Sequence, residues 1–328
     1  MEEVKANQIE EYSNLLVDAR KEIEKVIVGH QDLIENIFIA VLCNGNVLLE
    51  GVPGLGKTLL VKTLGMVLDL DYSRIQFTPD LMPADIIGTN ILMESNEGRR
   101  YFEFKEGPIF AQLVLVDEVN RATPKTQSAL LEAMQERRIT VAGVTRQLKE
   151  PFFVLATQNP LEMEGTYPLP EAQVDRFLFK LKVDYPEFDE LKEIIKRTTV
   201  NKLVDVSTTI DSDQLQRIQY LVRDIPIATE VMEYAVRLVM ASQPQGGTES
   251  ESVKKYVRYG SSPRGAQALI LAAKARAFLH NRYNVSYRDI KAVALPSLRH
   301  RLLLNFEGEA SGVDVDSIIT DLVNQLEE

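Results

Sequence analysis

The chain has 328 residues, 45% hydrophobic and 26% charged, with 48 acids against 37 lysines and arginines for a net charge of −11. Such a composition excludes wholesale disorder, and the acidic balance counts against a bulk nucleic-acid binder. The single cysteine, Cys43, excludes a disulfide framework and a cysteine-based zinc site.

In chain order, Ile9, Tyr12, Leu16, Ala19, Ile23 and Val26 recur at steps of three and four and predict an amphipathic helix. A second helix is expected over residues 31–44. NVLLE (46–50) is a short apolar run ahead of glycines and reads as a buried strand, followed by a helix from about Lys57. Further buried strands are expected over 112–117, 152–157 and 176–183. Between the first two of these runs lies a helix over 124–138, with Thr123 as its cap and Pro124 at its first position. Buried strands alternating with helices predict a parallel α/β sheet covered on both faces. Residues 78–108 are too long for a plain connection. There NILM and RRYFEF flank SNEG and predict an inserted β-hairpin. Beyond a boundary near Tyr185 and Pro186 the pattern turns helical, and the polar segment 243–253 reads as a mobile loop.

Charge is uneven. Residues 251–305 carry eleven lysines and arginines against two acids, a net of +9. This is either a solvated helical surface or one facing phosphates or an acidic neighbouring subunit. The three histidines (His30, His280, His300) form no metal-binding pair and read as ordinary core or surface residues. No apolar run approaches the roughly 18 residues of a membrane span. The acidic start MEEVKANQIEEY is no secretory signal, so the expected location is cytoplasmic.

GVPGLGKT (51–58) fits the phosphate-binding pattern G-x-x-x-x-G-K-[ST]. Its glycines let backbone N–H groups wrap a phosphate at a helix N-terminus, Lys57 reaches the β and γ phosphates, and Thr58 can ligate Mg²⁺. Asp117, sixty residues beyond Lys57, ends the run LVLVD and places a carboxylate at the sheet's carboxyl edge, where it can hold Mg²⁺. Glu118 beside it can polarise an attacking water. Asn159, in ATQNP, can orient that water or touch the γ-phosphate, although an asparagine at a strand end is also a common turn former. Arg176 precedes the last strand, and Arg264 lies in the first turn of a helix that Ser262 caps and Pro263 starts.

This order of motifs resembles the AAA+ ATPases, and within them the MoxR family. The resemblance covers nearly the whole chain and rests on VIVGHQDLIE, GVPGLGKT, FTPDLMPADIIG, the long stretch from GPIFAQLVLVDEVNRATP to MQERRITV, ATQNPLEMEGTYPLPEAQVDRFLF and SSPRG. It implies a P-loop αβα core (1–185) followed by a smaller all-helical lid (186–328), and a hairpin inserted near the second helix. It implies ATP and Mg²⁺ as cofactors, with Thr58 and Asp117 holding the metal. The nucleotide contacts would be Val28, Gly29, Gly51, Pro53, Gly54, Leu55, Gly56, Lys57, Thr58 and Leu59, with Val28 and Gly29 in the adenine pocket. Lys57, Glu118, Asn159 (sensor 1), Arg176 (arginine finger) and Arg264 (sensor 2) would be catalytic.

The family also implies a homo-oligomeric ring, usually a hexamer, that remodels or activates partner proteins, often ones with von Willebrand factor A domains. Arg176 is expected on the far side of the sheet order from the phosphate loop, and so to serve a neighbour's nucleotide. Arg264 is expected nearer a phosphate of its own chain. A DNA-acting AAA+ motor and a magnesium-chelatase-like subunit are the alternatives. The acidic net charge speaks against the first and the MoxR-like stretches against the second.

Overall fold

The structure is a computed structural model and describes residues 2–160, 165–200, 204–245 and 250–327. Five parallel strands form the central sheet: β1 (Val47–Glu50), β2 (Tyr72–Gln76), β3 (Leu113–Asp117), β4 (Phe153–Gln158) and β5 (Phe179–Lys182). Their spatial order is β2-β3-β4-β1-β5. All five residues of β3 are buried, as a strand covered on both faces requires.

The period-2 alternation of side chains divides the core into two. Leu49, Leu113, Leu115, Phe153 and Leu155 point into one cluster, shared with the helices Glu2–Val26, Gln31–Leu42 and Lys57–Val67. Leu48, Val114, Val116, Val154 and Ala156 point into the other, closed by Leu130, Leu131, Ala133 and Met134 of the helix Pro124–Glu136. The result is the three-layer αβα arrangement expected from the pattern. The predicted first-helix residues Leu16, Ala19 and Ile23 are almost wholly buried, and each large apolar side chain so buried stabilises by roughly 1.5–3 kcal/mol.

Several local expectations need correction. Thr123 stands at the N-cap of the helix Pro124–Glu136, but its hydroxyl meets that of Thr126 instead of a backbone N–H. Its carbonyl takes the amides of Thr126 and Gln127. The last core strand begins only at Phe179, because Phe177 still closes a turn onto Val174. A second hairpin, Arg138–Val141 with Val144–Gln147, was not foreseen, since its strands are short and largely exposed.

The expected insertion is present. Gly88–Glu94 pairs antiparallel with Arg100–Glu106, and most of its side chains are exposed. Arg146 of the second hairpin lies 3.7 Å from the centre of the Phe104 ring and links the two hairpins.

Among the described residues after β5 the regular structure is helical apart from one short antiparallel pair, Val257–Tyr259 with Leu303–Leu304, so this part is not strictly all-helical. Its apolar residues, among them Leu238, Leu269 and Phe278, join the same cluster as the first three helices. The polar segment 243–253 lies partly outside the described residues.

The basic stretch 251–305 is partly a solvated surface, with Lys254, Lys255 and Arg264 about half exposed, and partly neutralised by ion pairs. Lys254, Lys255, Arg264, Arg276, Arg282, Arg299 and Arg301 each pair with a carboxylate, contributed by Glu35, Asp175, Glu251, Asp289, Glu307 and Asp316. No helix among the described residues is long and apolar enough to cross a membrane.

Candidate functional site

Because the strands are parallel, their carboxyl ends lie along one edge, where ligands of such sheets bind. The loop 51–58 leaves β1 there, with Asp117 at the end of β3 and Asn159 just past β4. Gly56 takes φ +76° at the N-cap of the helix Lys57–Val67, a conformation that favours glycine. The Lys57 ammonium donates to the carbonyl oxygens of Gly51 and Val52, the latter at 3.0 Å. Burial pulls its pKa below the usual lysine value, with Asp117 and Glu118 opposing. Gly51, Pro53, Gly54, Gly56, Lys57, Thr58, Leu59, Asp117, Glu118 and Asn159 line one cavity of about 350 Å³, together with Arg74, Gln76 and Thr157.

Inside that cavity the acids are held in place. Asp117 accepts from Arg74 Nε at 2.6 Å and from Thr157 Oγ1 at 3.2 Å. Glu118 sits at φ +57°, a left-handed conformation that costs a non-glycine residue about 1 kcal/mol or more. Its amide donates to Thr157 Oγ1 at 2.9 Å. Its carboxylate accepts from Gln76 Nε2 at 2.7 Å and pairs with Arg121 at 3.1 Å. The strained backbone and these bonds hold the two adjacent carboxylates on different partners, Asp117 between Arg74 and Thr157 and Glu118 between Gln76 and Arg121.

A more apolar cleft of about 450 Å³ continues from the phosphate loop, sharing Pro53, Gly54, Gly56, Lys57 and Leu59 with the first cavity. Leu55, Val28 and His30 line it, opposite Tyr185, Pro186, Leu191 and Ile194. Gly29 takes φ +70°, a conformation that favours glycine, and lies close enough to the Glu190 carboxylate that a Cβ would push that side chain aside. An apolar slot next to a phosphate cradle suits a flat heterocycle joined to phosphates.

Arg176 and Arg264 lie elsewhere. Strand β5 is the immediate neighbour of β1, so Arg176 is not on the far side of the sheet order as expected. It stands at the opposite end: Val47 pairs with Phe179, and Arg176 precedes that pair at the amino edge. Arg264 is there too. It pairs with Asp175 at 3.5 Å and lines a cavity of about 290 Å³ with Arg176, Arg137 and Arg301. None of that cavity's lining residues borders the phosphate cavity. The expectation that Arg264 approaches its own chain's phosphate therefore fails, because the lid packs its first turn against the segment before β5.

A family model described as the ATPase family associated with various cellular activities matches residues 46–179, and one described as the AAA lid domain matches 249–322. The chain is 43% identical to Chaperone MoxR1 of Mycobacterium tuberculosis, over 91% of this chain and 78% of that protein. The chain belongs to the MoxR family of AAA+ ATPases. It is also 42% identical to the uncharacterized protein YeaC of Bacillus subtilis, over 96% and 95% of the two chains. A crystal structure of a candidate ATPase from Cytophaga hutchinsonii superposes with a TM-score of 0.92 at 42% identity, covering 98% and 97% of the two chains.

In this MoxR-family chain the residues fit a magnesium–nucleotide. The phosphate cavity offers the Asp117 carboxylate and the Thr58 hydroxyl, while no cluster of three or more metal-ligating side chains occurs among the described residues. One carboxylate and a hydroxyl beside a phosphate cradle is how Mg²⁺ is held when the substrate supplies further oxygens. Sequence reasoning missed Arg74, Gln76 and Thr157. The signal was available for Thr157, which directly precedes the QNP turn. It was weak for Arg74 and Gln76, because β2 is an edge strand whose polar residues hide the strand pattern.

Proposed function

We propose that the chain hydrolyses ATP at a site shared between neighbouring subunits of a ring, expected to be a hexamer. The cycle would remodel or activate partner proteins, with von Willebrand factor A domains as the client class. The core (1–185) holds the nucleotide, the start of the lid (186–328) closes its own chain's apolar cleft through Pro186, Leu191 and Ile194, and Arg264 farther along the lid serves the neighbour. The adenine sits near Val28 and Gly29, and the phosphates lie on 51–58 with Lys57 against the β and γ oxygens. Thr58 and Asp117 hold Mg²⁺, which when bound neutralises charge on those oxygens. Glu118 takes a proton from the attacking water, and Asn159 orients it.

Arg176 and Arg264 reach the neighbouring subunit's γ-phosphate and stabilise the charge that develops there. The observation that carries this reading is the separation of the two cavities. The residues we assign to the phosphates line a cavity at one edge of the sheet, and Arg176 and Arg264 line another at the opposite edge, so on this reading one chain alone cannot bring both to a single phosphoryl group. The client contact we assign to the inserted hairpin, where Leu92 and Phe102 stand opposite each other at 56% and 72% exposure.

The test is complementation. Arg176→Ala should bind ATP almost normally and hydrolyse it about 10³-fold more slowly. Mixing it with Lys57→Ala subunits should restore activity, because some junctions then pair an intact loop with an intact finger. Specific activity should also rise with protein concentration. Concentration-independent activity with no rescue on mixing would overturn the shared site.

A further inference from the structure

Arg301 follows the lid helix Tyr287–Leu298 and takes no part in the nucleotide cavity. Its side chain is only 3% exposed, yet every one of its N–H donors has a partner. Nε donates to Asp175 Oδ1 at 2.8 Å. Nη2 donates to the carbonyl oxygens of Asp175, at 3.1 Å, and Phe177, at 2.7 Å. Nη1 donates to those of Leu178, at 3.1 Å, and Ser297. The carbonyls on either side of Arg176 are thus held by one guanidinium. Next to it, His300 Nε2 also meets the Phe177 carbonyl at 3.0 Å.

The other oxygen of Asp175 faces the lid helix Pro263–Leu279. It accepts from Ser262 Oγ at 3.1 Å and pairs with Arg264 at 3.5 Å. Asp175 therefore stands between Arg301 and Arg264, and the backbone at Arg176 is bracketed by Arg301. A planar fan of five donors can span this set; the three donors of a lysine ammonium radiate from one point and cannot. The arrangement does more than fill space, because it ties the half-exposed Arg264, through Asp175, and the backbone that carries Arg176 to one buried group, while the part-buried Arg176 guanidinium itself donates to the Leu131 carbonyl at 3.2 Å.

We propose that Arg301 is the positioning residue that sets Arg176 and Arg264 for the neighbouring subunit's phosphate, so that the lid of one chain governs hydrolysis in the next. This rests on the shared-site reading above. A displacement of about 1 Å in a positioned catalytic group costs on the order of 10²-fold in rate. Arg301→Lys should therefore lower kcat about 10²-fold while leaving the chain's own nucleotide affinity and KM unchanged, since its phosphate loop is untouched.

The discriminating measurement is again mixing, with binding of a fluorescent ATP analogue as a readout independent of turnover. Arg301→Lys mixed with Lys57→Ala should regain activity, because the variant supplies the loop and its partner supplies the arginines. Arg301→Lys mixed with Arg176→Ala should regain none, because every junction then has a misplaced or missing finger. If Arg301 only holds the fold together, the variant loses nucleotide binding as well and neither mixture recovers, which overturns the proposal. Should Arg301→Lys not fold, Asp175→Asn tests the same bracket and should show the same pattern of rescue. The control mixture, Arg176→Ala with Lys57→Ala, separates the two ideas: its failure sinks the shared site, whereas its success beside a failed Arg301→Lys rescue sinks only the role of Arg301.

Discussion

Arg74 on β2 and Asp117 on β3 meet at the carboxyl edge of the sheet, with Nε donating to Oδ2 over 2.6 Å. The bond to Asp117 raises the guanidinium's pKa, so Arg74 is a fixed cation in the cavity we assign to a magnesium–nucleotide. With Thr157 on the other oxygen, a metal ion binding Asp117 competes directly with Arg74.

Arg74→Ala should consequently lower the Mg²⁺ concentration needed for half-maximal nucleotide binding. Arg74 is half exposed, so the competing pair is worth about 1 kcal/mol, or roughly fivefold. Titrating Mg²⁺ against a fluorescent nucleotide checks it; an unchanged or higher requirement would count against the competition.

Glu118 is aimed by a left-handed backbone and by Gln76. Glu118→Gln keeps the shape and removes the base, so ATP affinity should survive while turnover falls by about 10²–10⁴-fold. Lys57→Ala should instead lose binding. Wild-type turnover in the Gln variant would show that Glu118 is not the base.

The two hairpins are joined by Arg146 on the Phe104 ring. Arg146→Ala removes a contact worth about 0.5–2 kcal/mol, and amide hydrogen exchange over residues 88–106 should quicken with basal hydrolysis unchanged. Deleting the tip, residues 94–99, should likewise spare basal hydrolysis but impair coupling to a client. Equal loss of both activities would place the hairpin inside the hydrolytic machinery instead.

Asp289 is fully buried in the lid and bound by Arg276 (2.7 Å), Arg282 (2.6 Å) and the Ser286 amide (2.9 Å). Burial alone would raise its pKa, yet these donors, Arg282 foremost, hold it at about 2 against an ordinary 3.8. Between those values the unfolded chain binds more protons than the folded one, so stability rises with pH there. The carboxylate's contribution, about 2 kcal/mol, is complete above pH 3.8 and is lost as pH falls toward 2. In Asp289→Asn, urea unfolding should show a lower midpoint at pH 7 and a flatter decline through this acid window. An unaltered acid limb would exclude Asp289 as its source.

Much of this protein is legible in its residues. The phosphate loop, the buried strands that end in Asp117 and just before Asn159, the αβα order and the inserted hairpin follow from local chemistry: glycine spacing, runs buried on both faces, and turn residues. Each is encoded within a few adjacent positions. The sequence pattern hid Arg74 and Gln76, which became part of the cavity only through the pairing of edge strand β2 with β3.

The edge of the sheet at which Arg176 and Arg264 lie was decided by tertiary structure alone. No local signal tells whether a lid helix folds toward its own loop or away from it. Arg264 and Arg176 share a cavity because Asp175 and the buried Arg301 join segments 126 residues apart. Such a contact depends on how the lid packs against the core, a balance of many small burial terms that no single motif encodes.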